Sequence, residues 1–321
     1  MSSTDAPSPI RRIASQFGTD FDQALRAERP DLQILPLGRV IEWPLPADVD
    51  VLLAYPVSPA ERVRPAPAGW PFGLRWIQLI SVGLDNYPPW LLRGTMVSTA
   101  RGTSSQTIAD YVLAQVLRRA YRLDERRVTT HARWRQSRAP AIGGQTLGIF
   151  GFGGIGRALA AKALALGMRV RALRASPQPL DIAGVERADD LADLMATSDH
   201  LVLAAPGTAD TRHVINAQTL AHARPGLHLI NVARGSLVDQ SALLQALDDG
   251  RLDSASLDVT EPEPLPEGHP LYTHPKVFIT PHTCALSPQV TDAVSAKVLA
   301  GLAALERGER PADLVDLGRA Y

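Results

Sequence analysis

The stretch Gly151-Phe152-Gly153-Gly154-Ile155-Gly156 constrains this chain more than any other. It lies between an apolar run at 145–150 that reads as a buried strand and a strong helix pattern at 157–166 that ends at Gly167. Strand, glycine-rich turn and helix in that order form a cradle for a dinucleotide. Gly151 makes the tight turn, Gly153 lets a pyrophosphate approach bare backbone, and Gly156 brings helix and strand together. Phe152, Gly154 and Ile155 complete the loop at the helix N-terminus, which faces the phosphates. The next strand pattern, 168–173, ends at Arg174, with Ser176 two residues on. An NAD site normally carries an acid there for the ribose 2′-hydroxyl, whereas a guanidinium pairs with a 2′-phosphate. Arg174 and Ser176 therefore point to NADP, with NAD as the alternative.

Short strand patterns at 33–37, 50–55, 74–80 and 95–99, separated by Pro and Gly, predict a first α/β unit. Residues 105–122 then place Ile108, Val112, Leu113, Val116 and Leu117 at helical spacing, and a basic stretch continues to Arg138. The whole segment reads as a long connecting helix. From 145 onward, strands at about 146–150, 169–173, 199–204, 227–232, 253–258 and 276–280 alternate with helices, which implies a parallel, doubly wound sheet. A last helix at 288–307 precedes a polar tail at 308–321.

Composition narrows the partners. The 33 basic and 33 acidic residues cancel, so no net field draws nucleic acid or an anionic membrane. The single cysteine, Cys284, excludes an intrachain disulfide and a cysteine-pair zinc site, and no metal is expected. No apolar run approaches the roughly 20 residues of a membrane span, and residues 1–8 have no signal-peptide core. A soluble cytoplasmic protein is the expectation.

Three further segments each follow a predicted strand: Asn231-Val-Ala-Arg-Gly235, Asp258-Val-Thr-Glu-Pro-Glu263-Pro-Leu and Thr280-Pro-His282-Thr. Ligands of open parallel sheets collect at the carboxyl ends of strands, so a cation, a carboxylate and an imidazole are sent to one rim. Singly, such an Arg is usually an ion-pair partner, such a Glu a solvated loop residue and such a His part of a turn. Together at successive strand ends they read as a site. An imidazolium can supply a proton to a carbonyl oxygen near neutral pH, a carboxylate bonded to the ring favours that form, and a guanidinium fork can bind a carboxylate and polarise a carbonyl.

The glycine motif and these three segments, in this order, resemble the D-isomer-specific 2-hydroxyacid dehydrogenases, and within them the glyoxylate and hydroxypyruvate reductases. The resemblance covers nearly the whole chain and is strongest over about 145–290. It implies an α/β fold of two Rossmann-like or flavodoxin-like domains with doubly wound parallel sheets, the cofactor domain inserted in the substrate domain. The boundaries read as 1–100 and 285–321 for the substrate (catalytic) domain and 101–284 for the NAD(P)-binding Rossmann domain. The family's catalytic Arg, Glu and His fall on Arg234, Glu263 and His282. Glu263 rather than Glu261 is chosen because it stands five residues after Asp258, directly before Pro-Leu. The resemblance further implies cofactor contacts from Thr107, Ala205, Pro206, Thr211, Val232, Ala233, Arg234, Asp258 and His282, and substrate contacts from Val82, Gly83, Arg234 and His282. Asp110 stands where the family usually has Glu, and Gly207 where it often has Leu. Trp43, Trp76, Trp90 and Trp134 receive no role.

The expected activity is NADPH-dependent reduction of glyoxylate or hydroxypyruvate to the 2-hydroxyacid by a homodimer, for which the Arg-rich stretch 118–138 is a candidate contact. Tyr55-Pro56 stands where several relatives carry an arginine for a larger anionic substrate, which disfavours a phosphoglycerate dehydrogenase. Formate-oxidising relatives have Gln where Glu263 stands. Phosphite oxidation, a dinucleotide-sensing corepressor and a dinucleotide binder without turnover are the other readings.

Overall fold

The computed structural model describes residues 9–317. The expectation for residues 1–8 and the end of the polar tail lie outside them. Two compact units result: one runs to Thr103 and resumes at Ser287, and the other is Ser104–Leu286.

The first unit begins with β1 (Arg12–Ser15), α1 (Thr19–Glu28), β2 (Gln33–Pro36), β3 (Val51–Ala54), α2 (Pro59–Arg62), β4 (Trp76–Leu79) and β5 (Met96–Ser98). Its parallel sheet has the order β2-β1-β3-β4-β5. β1 carries no clear sequence signal because its four residues mix Arg12 and Ser15 with two apolar ones; its place between β2 and β3 buries it. Trp76 is fully buried and donates its indole N–H to Ser98 Oγ at 3.1 Å. Trp43, Trp70, Phe72 and Trp90 pack ring against ring at one edge of the core. Beyond the carboxyl end of β3, the Arg39 guanidinium stacks 3.6 Å from the centre of the Tyr55 ring.

The second unit contains α3 (Ser105–Ala120), α4 (Leu123–Arg126), β6 (Thr146–Phe150), α5 (Gly154–Ala165), β7 (Arg169–Leu173), β8 (Val185–Arg187), α6 (Leu191–Thr197), β9 (His200–Leu203), α7 (Ala217–Leu220), β10 (His228–Asn231), α8 (Gln240–Asp248), β11 (Ser254–Leu257) and β12 (Val277–Ile279). All seven strands are parallel, in the order β12-β11-β10-β9-β6-β7-β8. The order reverses between β6 and β9, which opens the crevice where such sheets bind ligands. The connecting helix does not reach residue 138. α3 stops at Ala120, Arg122 takes a left-handed conformation (φ 51°), and the residues that follow are largely exposed, so no apolar face holds them in a continued helix. β8 escaped prediction because it is a three-residue edge strand with Glu186 and Arg187 exposed.

Across this sheet runs a buried polar chain. His200 Nδ1 meets His228 Nδ1 at 3.1 Å, His200 Nε2 meets Gln145 Oε1 at 2.9 Å, and His228 Nε2 meets Ser256 Oγ at 2.9 Å. Burial lowers the His200 pKa to about 4 and holds His228 well below the usual range.

The chain then returns to the first unit as α9 (Pro288–Glu306), capped by Ser287, whose Oγ accepts the Val290 N–H. Val294, Val298, Leu302 and Leu305 bury against the core that includes Ile13, Phe21 and Leu25. The polar tail is tied down rather than free: Leu314 bridges Ser98, and the Val315 N–H donates to Val97 O at 2.7 Å. Among the described residues no helix is long and apolar enough to cross a membrane.

Candidate active site

The glycine turn follows from steric need. Gly151 has φ 103°, and a Cβ there would lie 2.5 Å from Ala205 N, so only glycine can pass this close to the end of β9. α5 starts at Gly154, three residues earlier than its periodicity suggests. A Cβ at Gly156 would come within 2.5 Å of Gly151 O, because this first helical turn is pressed onto the strand.

Several features of this turn suit a dinucleotide. Gly153 is the helix N-cap, no side chain caps it, no acid occupies the first turn, and a Cβ at 153 would meet open space. A pyrophosphate would therefore meet backbone N–H groups and the positive end of the helix dipole. Phe152 is buried in the core, so a ligand contact from it is through backbone, whereas Ile155 is only partly buried against that core. Beyond β7, Arg174 donates to Gln178 Oε1 at 3.2 Å and to Pro179 O at 3.4 Å, neither of them acidic. Ser176 Oγ is buried without a protein partner. A 2′-phosphate fits this pair, since it would give the orphaned hydroxyl an acceptor and the guanidinium an anion.

After β9, Ala205 is buried, and the Thr211 hydroxyl closes the 206–211 loop by donating to Pro206 O at 2.7 Å. Gly207 has a local reason to lack a side chain: a Cβ there would lie 3.0 Å from Arg234 Cγ. Thr107 sits in the first turns of α3, and Asp110 pairs with Lys162 of α5.

The carboxyl ends of β10, β11 and β12 bring the three chemical groups to adjacent positions. Asn231 is fully buried; its side chain accepts the Ala233 N–H at 3.1 Å and donates to Arg234 O at 2.8 Å, shaping the turn that presents Arg234. Val232 and Ala233 are buried beside it. Arg234 Nη1 donates to Ala233 O at 2.7 Å. Glu263 Oε1 accepts the Thr260 N–H at 3.1 Å, and its Oε2 lies 2.8 Å from His282 Nδ1. Glu261 instead pairs with Arg212 at 2.9 Å. Glu263 raises the His282 pKa above its ordinary value, against opposition from burial and from the charge of Arg234, while Asp258 adds a smaller push upward.

Asp258, expected at the nicotinamide end, is almost completely buried. Its Oδ1 accepts from Thr280 Oγ1 at 2.5 Å and Thr283 N at 2.9 Å, and its Oδ2 from Cys284 N at 3.0 Å. Both oxygens are engaged by the turn that carries His282. Burial beside Asp258 pushes the Cys284 thiol up, which leaves it unreactive.

In the first unit, Val82 and Gly83 follow β4 in a loop where Ser81 Oγ donates to Gly83 O at 2.9 Å. Asn231, Tyr111 and Thr280 were not singled out from the sequence. Asn231 and Thr280 each open a recognised segment and could have been found there, whereas nothing local marks Tyr111. Among the described residues no cluster of His, Cys, Asp and Glu could hold a metal.

Residues 111–284 match the family model for the D-isomer specific 2-hydroxyacid dehydrogenase, NAD binding domain. A glyoxylate/hydroxypyruvate reductase A of Serratia proteamaculans is 36% identical over 238 residues, 73% of this chain and 75% of that protein. An (S)-sulfolactate dehydrogenase of Chromohalobacter salexigens is 38% identical over 229 residues, 69% of this chain and 74% of that protein. The crystal structure of a D-isomer specific 2-hydroxyacid dehydrogenase from Xanthobacter autotrophicus Py2, in complex with NADPH and MES, is similar with a TM-score of 0.81 at 28% identity, covering 98% of this chain and 100% of that one.

Proposed function

We propose that this chain, which belongs to the D-isomer specific 2-hydroxyacid dehydrogenase family, reduces a small 2-oxoacid of the glyoxylate or hydroxypyruvate type, with NADPH preferred over NADH. The observation that carries the reading is the contact between Glu263 and His282 on the sheet rim that also presents Arg234. NADPH, when bound, supplies the hydride. In this reading the Glu263 carboxylate accepts a hydrogen bond from His282 Nδ1–H and orients the ring, which directs Nε2–H at the carbonyl oxygen. Arg234 polarises that carbonyl and binds the carboxylate through its fork of donors. Residues 151–156 hold the pyrophosphate, and Arg174 with Ser176 hold the 2′-phosphate. Support comes from the reductase relatives and from the NADPH-bound neighbour.

The direct test follows absorbance at 340 nm with NADPH and a panel of 2-oxoacids. Oxidation with glyoxylate or hydroxypyruvate is expected, and none with any acid overturns the reading. We also assign self-association to the segment after α3, where Trp134 is 78% exposed among arginines. Light scattering should give twice the chain mass, and a monomer at micromolar concentration rejects the assignment.

A further inference from the structure

The turn that carries His282 is fixed by groups that are not themselves placed in the reaction. His282 has φ 56°, a left-handed conformation that a side-chain-bearing residue keeps only where its surroundings over-determine it. Three contacts of Asp258 do much of this: its backbone carbonyl accepts the His282 N–H at 2.8 Å, and its carboxylate takes the N–H groups of Thr283 and Cys284. The fourth, from Thr280 Oγ1 to Asp258 Oδ1, differs in kind because it continues outward. Tyr111 OH lies 2.6 Å from the same Thr280 oxygen.

The proton order along this chain is determined. Thr280 uses its only hydroxyl hydrogen on Asp258, so Tyr111 must donate to Thr280. Burial pushes the Tyr111 pKa up to about 12, so the phenol keeps that hydrogen at any working pH. The result is a directed link from α3 to the β12 turn, Tyr111 O–H to Thr280 Oγ1–H to Asp258. Thr107 stands four residues before Tyr111 on α3, one helical turn away on the same side of the helix.

We propose that Tyr111 and Thr280 are positioning residues that hold the His282 turn in register with α3, and so keep the imidazole aligned for proton transfer. The proposal rests on the reading of His282 as the acid. Neither residue touches the reacting atoms; both act through Asp258 and the turn. Loss of either hydroxyl loosens the turn, so the Glu263 contact of His282 weakens while the glycine cradle is left intact.

The test uses the full chain with Tyr111→Phe, Thr280→Val and Thr280→Ser. Phe keeps the ring, Val keeps the shape of Thr without its hydroxyl, and Ser keeps the hydroxyl. Expected is a loss of about tenfold in kcat for Phe and Val, with the dissociation constant of NADPH, read by fluorescence, unchanged, and near wild-type kcat for Ser. The Tyr111→Phe/Thr280→Val double variant should lose no more than Thr280→Val, because Tyr111 acts through Thr280. An independent readout follows the His282 imidazole by NMR without cofactor, its signal assigned with His282→Gln. Its titration should move down in the Phe and Val variants, as the Glu263 contact weakens while burial and the charge of Arg234 remain, and stay in place for Ser. Wild-type kcat and an unmoved titration in both Phe and Val overturn the proposal, as does an equal loss in Ser. A wild-type chain that reduces no 2-oxoacid defeats the underlying activity instead, and the imidazole titration still decides whether the link holds the turn.

Discussion

Glu263 bridges two loops: one carboxylate oxygen accepts the Thr260 N–H at 3.1 Å, and the other lies 2.8 Å from His282 Nδ1. The acid is thus held by its own backbone before it meets the ring, so the imidazole is oriented by a group that is itself oriented. Glu261, two residues away, is turned to Arg212 and cannot serve this purpose in the same arrangement.

The pH dependence of reduction should follow this contact. His282 is raised, so its protonated form is complete at low pH and is lost as pH rises through the raised value. Glu263→Gln removes the main cause of the raise, and the descending limb of reductive kcat/KM should move to lower pH. A pH–rate profile with an unmoved limb would falsify the orienting role of Glu263.

His282→Ala should lower turnover by at least about a hundredfold with little change in NADPH affinity, because the proposed proton donor is lost and the cradle is not. Arg234→Ala should raise the Michaelis constant for the 2-oxoacid about a hundredfold, with Arg234→Lys restoring only part, since a point charge cannot copy a planar fork. Steady-state kinetics decide both, and a flat response removes the residue from its role.

Arg174→Asp should shift the ratio of kcat/KM for NADPH over NADH downward by about two orders of magnitude, because a carboxylate repels a 2′-phosphate and accepts from a 2′-hydroxyl. An unchanged ratio would remove Arg174 from cofactor discrimination and leave the reductase reading standing.

Gly235→Ala should damage the site from a distance. A Cβ at 235 would lie 2.0 Å from Thr260 O, so the backbone that holds Glu263 must move. We expect activity to fall at least tenfold and stability by about 1–3 kcal/mol, as for other forced overpacking. Wild-type kinetics and melting in this variant would show that the two loops are not packed as described.

The His200–His228 pair predicts acid sensitivity of the fold. Both are held neutral, with His200 lowered to about 4, so the unfolded chain binds more protons between about pH 6.5 and 4 and stability rises with pH across that window. For His200 alone this is on the order of 3 kcal/mol, fully present above the unfolded value and lost as pH falls. His200→Gln should flatten the dependence of melting temperature on pH in that interval. A slope as steep as that of the wild type would assign acid sensitivity elsewhere.

Much of the site was legible because its signals are local. The glycine turn, Arg174 and the three strand-end segments each encode a backbone conformation or a chemical group within a few residues, and alternation of strands and helices sends strand ends to one rim. β1 and β8 were missed because each is too short for its own periodicity to show: β1 is buried only by its neighbours β2 and β3, and β8 is an exposed edge strand. The connecting helix was overextended because residues 123–138 have helix-compatible composition, yet the structure gives them no apolar face to bury.

The sequence by itself determined a parallel sheet with a glycine cradle and a cation, a carboxylate and an imidazole at successive strand ends, since periodicity and turn chemistry are properties of neighbours along the chain. Only the tertiary structure decided that Glu263 faces His282, that Gly207 makes way for Arg234, and that Asp258 serves the turn from Thr280 to Cys284. Tyr111 and Thr280 are 169 positions apart. Nothing in either neighbourhood encodes that meeting, which depends on how α3 packs beside the end of β12 and on a hydroxyl arriving within hydrogen-bond reach.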